Sequence, residues 1–129
     1  MTTKIEPLDL ETTYLGLAQS SEVRVVPVGP DFWETIHENE AIGPRMVGIF
    51  PFSSSWDSWE VHPAGDEVVA VLAGAGDMLV EVDGEEVRVP LRAGQTVVVP
   101  RGVWHTLDVH EPGKSLHITW GERTEHRPR

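Results

Sequence analysis

Cysteine is absent from all 129 residues. That excludes disulfides and thiolate zinc sites, and leaves any bound metal to histidine and carboxylate ligands. Basic residues are scarce, with 10 Lys and Arg against 21 Asp and Glu, a formal charge of -11. Such a chain, whose one basic feature is the short run over residues 123–129, is a poor partner for nucleic acid or an anionic membrane. No apolar run approaches the length needed to cross a bilayer, and residues 1–10 lack the apolar centre of a signal peptide. The expected setting is therefore cytoplasmic. No internal repeat is visible. An apolar content of 40% is ordinary for a packed core, so the length predicts one domain.

What is present is β-type alternation, cut at close spacing by Gly and Pro. The pattern predicts strands over residues 14–17, 22–28, 45–50, 56–62, 67–73, 77–82, 85–90, 95–99, 105–109 and 116–120. Asp83-Gly84 predicts a tight hairpin. Gly74 is expected to end one strand, and residues 110–114 to form a polar turn. Asp31 to Glu34 has a capping-box pattern that predicts a short helix through about His37. This succession argues for an antiparallel barrel or jelly roll. The division expected is an N-terminal arm over 1–20, a barrel core over 45–120 and a polar tail over 121–129.

Chemistry concentrates in two segments. Glu60 and His62 are two apart, so a strand turns both to one face. Pro63 and Gly65 then break the strand, and Glu67 leads the next one. His105, behind the turn Pro100-Arg101-Gly102, is the fourth candidate ligand. Two imidazoles and two carboxylates suit Fe, Mn, Zn or Ni better than copper. Trp56 shares the face of His62, and with Trp104 and Trp120 offers an aromatic wall for a ligand or plain packing. His117 is a candidate substrate contact or an ordinary strand histidine. His37 and His126 read as surface residues. Arg45 and Arg101 could meet an anion or simply pair with a carboxylate.

The order of these motifs resembles the cupin superfamily. His62-x4-Glu67-x6-Gly74 is similar to the second half of its first motif, G-x5-H-x-H-x3,4-E-x6-G. Gly94-x5-Pro100-x-Gly102-x2-His105 is similar to its second motif, G-x5-P-x-G-x2-H-x3-N. Three positions depart from the pattern: Glu60 stands at the first histidine, Ser54 at the leading glycine and Val109 at the final asparagine. The resemblance implies a small single-domain, bacterial-type cupin: an all-β double-stranded β-helix with at most one or two short helices. It implies one divalent metal held by His62, Glu67 and His105, with Glu60 as a ligand or as the catalytic base. It also implies a small organic substrate, for which Trp56, Trp104 and His117 are the candidate contacts, and a homodimer. If the chain is an enzyme, the expected reaction is dioxygenation or isomerisation. The other readings are a non-catalytic small-molecule binder and a structural barrel.

Overall fold

The computed structural model describes residues 5–129; the first four residues of the expected N-terminal arm lie outside the described residues. Two long strands organise the barrel: β5 (Glu67–Val82) and β8 (His105–Thr119). They pair antiparallel from Val68↔Ile118 to Val80↔His105. The other elements are β1 (Thr13–Leu17), β2 (Val23–Pro27), α1 (Phe32–Thr35), β3 (Arg45–Phe52), β4 (Ser58–Val61), β6 (Glu85–Arg92), β7 (Thr96–Val99) and β9 (Glu125–Pro128). β5 pairs with β7 along its first part and with β6 along its second. The remaining strands follow the order β2-β1-β3-β8-β4-β9. All pairings are antiparallel. This is the all-β jelly-roll barrel that the alternation predicts.

β5 does not stop at Gly74, and β8 does not turn at residues 110–114. Both strands run through, and the ladder between them shifts register between Val71 and Gly76. Bulges of this kind bend a strand without ending it. The corner also needs bare backbone. A Cβ on Gly113 would lie 1.8 Å from the Ala73 carbonyl oxygen, and Gly74 has φ +82°. The glycines that read as stops mark a bend where two strands cross closely. The hairpin at Asp83-Gly84 forms as expected, with φ of 52° and 79° and Val82 paired to Glu85.

Two further expectations are corrected. Asp31 sits at the helix N-cap but makes no side-chain cap hydrogen bond, and α1 is a single turn continued by a 3-10 turn, Ile36–Glu38. Burial of Phe32 against the edge of Tyr14, with ring centroids 5.3 Å apart, holds this segment in place of a capping box. Residues 121–129 are more than a polar tail, because β9 pairs with β4 over four residues.

The core divides in two. One cluster fills the barrel with Phe52, Val69, Val71, Met78, Leu91 and Leu107. The other seats β1, β2 and α1 on the barrel through Tyr14, Val26, Phe32, Ile42 and Met46. The first cluster includes Val69 and Leu107, two residues after Glu67 on β5 and His105 on β8.

Candidate metal centre

β4 with the residue that follows it, β5 and β8 bring Glu60, His62, Glu67 and His105 together, with one ligand-type atom from each lying within 4.8 Å of the others. Register explains the convergence: Glu60 pairs across to His105 in the β4–β8 ladder. The backbone N–H of Gly102 donates to the His62 carbonyl at 3.1 Å, which ties the second motif to the first. The Arg101 N–H donates to Asp66 Oδ1 at 2.9 Å, and the Arg101 guanidinium also faces Asp66. Arg101 thus braces the turn.

Hydrogen bonds set which imidazole nitrogen faces inward. Val103 O accepts from His105 Nδ1 at 3.1 Å, and a carbonyl can only accept. The Thr124 hydroxyl donates to Gly121 O at 2.8 Å, so it accepts from His62 Nδ1, also at 2.8 Å. Both rings therefore turn Nε2 to the cluster, the arrangement that a metal-binding histidine uses. Thr119 Oγ1 donates to Glu67 Oε2 at 2.7 Å, which leaves Oε1 facing His105 Nε2. Those two atoms are 3.1 Å apart, yet both are buried and lack a directed hydrogen bond. Glu67 is 1% exposed and His105 is fully buried.

Orphaned polar atoms at this depth are costly. A cation between them would satisfy both at once. Two ligand atoms each about 2.1 Å from one ion lie at most about 4.2 Å apart, so the observed spread needs only small side-chain adjustments. The donor set fits a divalent ion.

Electrostatics give the same picture. Burial alone would disfavour every charge here. Pairing with His105 and His62 outweighs it at Glu60, whose pKa falls to about 2. Pairing with the two glutamates outweighs it at His62 and His105, whose pKa values rise to about 9 and about 10. Glu67 is held well below the usual carboxylate range by His105, His117 and His62, against burial. Two imidazolium protons thus balance two carboxylates. A divalent ion would replace those two protons with no change in net charge.

Glu60, His62 and Glu67 reach the wall of a cavity of about 1350 Å³, which Trp56 and His117 also line. Trp56 stands 6.4 Å from both the His105 and the His117 ring centroids. His117 is buried, with Nε2 2.8 Å from Ser115 Oγ and Nδ1 3.6 Å from Glu67 Oε2. His37 is exposed beside the cavity. The other two tryptophans are not brought there. Trp104 lies under the Arg127 guanidinium, 4.5 Å from the ring centroid. Trp120 packs on Gly65, where an added Cβ would approach it to 2.7 Å, and Arg45 sits over its ring. Both serve packing, the alternative that their residue type left open, and Trp104 is not among the residues lining the cavity.

Thr119 and Thr124 lie outside both sequence motifs, and His126, expected at the surface, is 58% exposed yet also reaches the cluster. His126 Nε2 is 3.1 Å from Glu60 Oε2. A signal did exist: Thr124 and His126 are two apart, the same spacing as Glu60 and His62, so a strand turns them to one face.

A bent antiparallel barrel with a histidine–carboxylate cluster inside one end defines the class. The chain belongs to the cupin domain family, whose model matches residues 51–120. No curated protein matches the chain. Similar solved structures include cocosin, the coconut allergen, at 18% identity and TM-score 0.56, covering 66% of this chain and 24% of cocosin. Streptomyces PAC13 with uridine is similar at 13% identity and TM-score 0.55, covering 65% and 68%. Bacillus subtilis oxalate decarboxylase, which has Mn(II) centres, is similar at 19% identity and TM-score 0.54, covering 66% and 24%. The match to cocosin and to the decarboxylase thus spans about a quarter of each. At these identities the likeness is one of fold.

Proposed function

We propose that this chain is a mononuclear metal-dependent cupin enzyme acting on a small organic molecule, by dioxygenation or by enolisation and isomerisation. The observation that carries the reading is the pair of orphaned buried atoms, Glu67 Oε1 and His105 Nε2, behind a cavity of about 1350 Å³. His62, Glu67 and His105 would hold the ion, with Glu60 as fourth ligand or base. Fe, Mn, Zn and Ni all suit this set. When bound, such an ion would act as a Lewis acid toward a substrate oxygen. A similar fold holds Mn(II) in oxalate decarboxylase, which supports the metal reading.

The protein's own groups supply the rest. Glu60 Oε1 sits 3.2 Å from His62 Nε2 and 3.4 Å from His105 Nε2, at the cavity wall. A carboxylate there can take a proton from an α-carbon or hydroxyl of a substrate resting against Trp56. Trp56 offers a flat apolar surface, and Ser115 fixes the His117 ring as a polar contact. The test is metal analysis of purified protein followed by oxygen-uptake and isomerisation assays with catechols, diketones and hydroxyketones. Bound metal with turnover supports the proposal. No uptake of Fe, Mn, Zn or Ni would remove it, and uptake without turnover of any kind would favour the binding-module reading. A homodimer is part of the same proposal. β2 is an edge strand with Val23 and Val25 exposed, and light scattering at the mass of two chains is the expected result.

A further inference from the structure

β9 lies outside the residues that the family model matches, yet it meets the cluster at two points. The β4–β9 register sets Glu60 opposite His126 and Val61 opposite Glu125. Continued by one residue, it sets His62 opposite Thr124. Side chains of opposed residues on one face are the contacting pairs of a sheet. Both contacts are made: His126 Nε2 to Glu60 Oε2 at 3.1 Å, and His62 Nδ1 to Thr124 Oγ1 at 2.8 Å. β4 meets β8 at one residue pair and β9 at four. Without β9, β4 would be an edge strand.

β9 is itself anchored away from the cluster. Arg127 bonds Glu81 and covers Trp104 and Trp59. Arg129 pairs with Asp108 at 2.7 Å and donates to the Trp56 carbonyl at 3.0 Å. The strand is therefore a fixed frame on which Glu60 of β4 and His62, the residue after that strand, can be oriented.

We infer that β9 is a working part of the metal centre, with Thr124 and His126 as positioning residues for His62 and Glu60. This rests on the metal-dependent reading above. Thr124 holds the Nδ1 proton of His62, because its own hydroxyl proton is engaged by Gly121 O. The ring then presents Nε2 inward and cannot flip to the other tautomer. His126 donates to the outer oxygen of Glu60, which aims Oε1 at the cluster. Outer partners of this kind typically contribute 10–100-fold in metal affinity.

The experiment uses the full chain and Zn(II) alone, with affinity measured by competition against a chromogenic chelator and the His62 ring followed by nitrogen-15 NMR. Metal-free wild type should show a slowly exchanging His62 Nδ1–H signal. Thr124→Val should lose that signal and weaken Zn(II) binding roughly 10–100-fold, and Thr124→Ser should restore both. His126→Phe should weaken binding by a smaller factor of roughly 3–10, because this side chain is 58% exposed, while His126→Gln retains a donor and most of the affinity. Unchanged Zn(II) affinity in both Thr124→Val and His126→Phe would overturn the inference. So would a wild-type His62 without the Nδ1–H signal, which needs no variant to fold. A wild type that takes up no metal sinks the metal-dependent reading instead, and the NMR signal still decides whether Thr124 holds the ring.

Discussion

Two acid clusters on the same barrel make a natural comparison. The inner one is Glu60, His62, Glu67 and His105. The outer one is Asp77, Asp108, Arg88, His110 and Arg129. In the outer cluster Asp77 takes Arg88 at 2.7 Å and His110 at 2.8 Å, and Asp108 takes Arg129 at 2.7 Å and Arg88 at 3.2 Å. Each carboxylate there has a guanidinium partner in reach of water. Inside there is no arginine; His62 Nε2 bonds Glu60 Oε1 at 3.2 Å, while His105 Nε2 and Glu67 Oε1 face each other without a directed hydrogen bond. A guanidinium cannot lose its proton, so an arginine-paired acid is committed to that pair. An imidazole can, so a histidine-paired acid can exchange protons for a metal ion. The difference between an ion-pair network and a candidate metal site lies in partner type more than in the number of acids or in burial alone, since Asp77 is buried too.

The largest effect expected is from His105→Ala. It removes a proposed ligand and leaves Glu67 Oε1 buried beside a void. Metal affinity should fall by more than the roughly 100-fold typical of an outer partner. The metal-free protein should lose about 3–5 kcal/mol, the range for breaking a buried pair from one side. Isothermal titration and denaturant melts read the two losses. Metal content equal to wild type would show that the inner cluster is another paired network.

Next comes pH. His62 and His105 are held up at about 9 and about 10. Their contribution to metal-free stability is complete below the ordinary value of 6.5 and is lost as pH rises through that range. Glu60, held down at about 2, contributes above its ordinary 4.5 and loses that contribution as pH falls toward 2. Metal binding has the opposite slope, because the ion must displace the two imidazolium protons. Below about pH 9, apparent affinity should drop up to roughly 100-fold per unit. Metal-free protein should melt lower at pH 10 than at pH 7, and added Zn(II) should reverse that order. A pH-independent affinity would contradict the proton-for-metal exchange.

Glu60→Gln sharpens the role of the fourth residue. If Glu60 ligates, affinity falls about 10-fold or more, by analogy with weakening a supporting contact. If it acts only as a base, affinity changes little and turnover drops by roughly 100-fold or more. The smallest effect is expected in the outer cluster. Asp108→Asn should leave metal uptake unchanged and lower the melting temperature by less than about 5 °C, with the loss shrinking at high salt.

Much of this was legible in the residues. Glu60, His62 and Glu67 on adjacent strands and His105 after a Pro-x-Gly turn announce themselves by spacing, because alternation on a strand is a local property. The Asp83-Gly84 hairpin is local in the same way, since left-handed φ at both residues demands such a pair. Gly74 and Gly113 were less readable. A glycine that ends a strand and one that lets two strands cross look alike until the neighbour is known. Trp104 and Trp56 likewise share a residue type, and only the position of Arg127 separates a packed ring from a cavity wall.

By itself, the order of the residues determined the absence of thiolate ligands, the acidic charge, the β alternation and the four-residue donor set. The tertiary structure alone decided that the segment after residue 120 returns as β9, that Thr124 and His126 reach His62 and Glu60, and that Glu67 Oε1 and His105 Nε2 face each other without a directed hydrogen bond. The reason is range. Side-chain direction follows from a residue's own strand, whereas its partner is set by a register between segments more than sixty residues apart, such as Glu60 and His126.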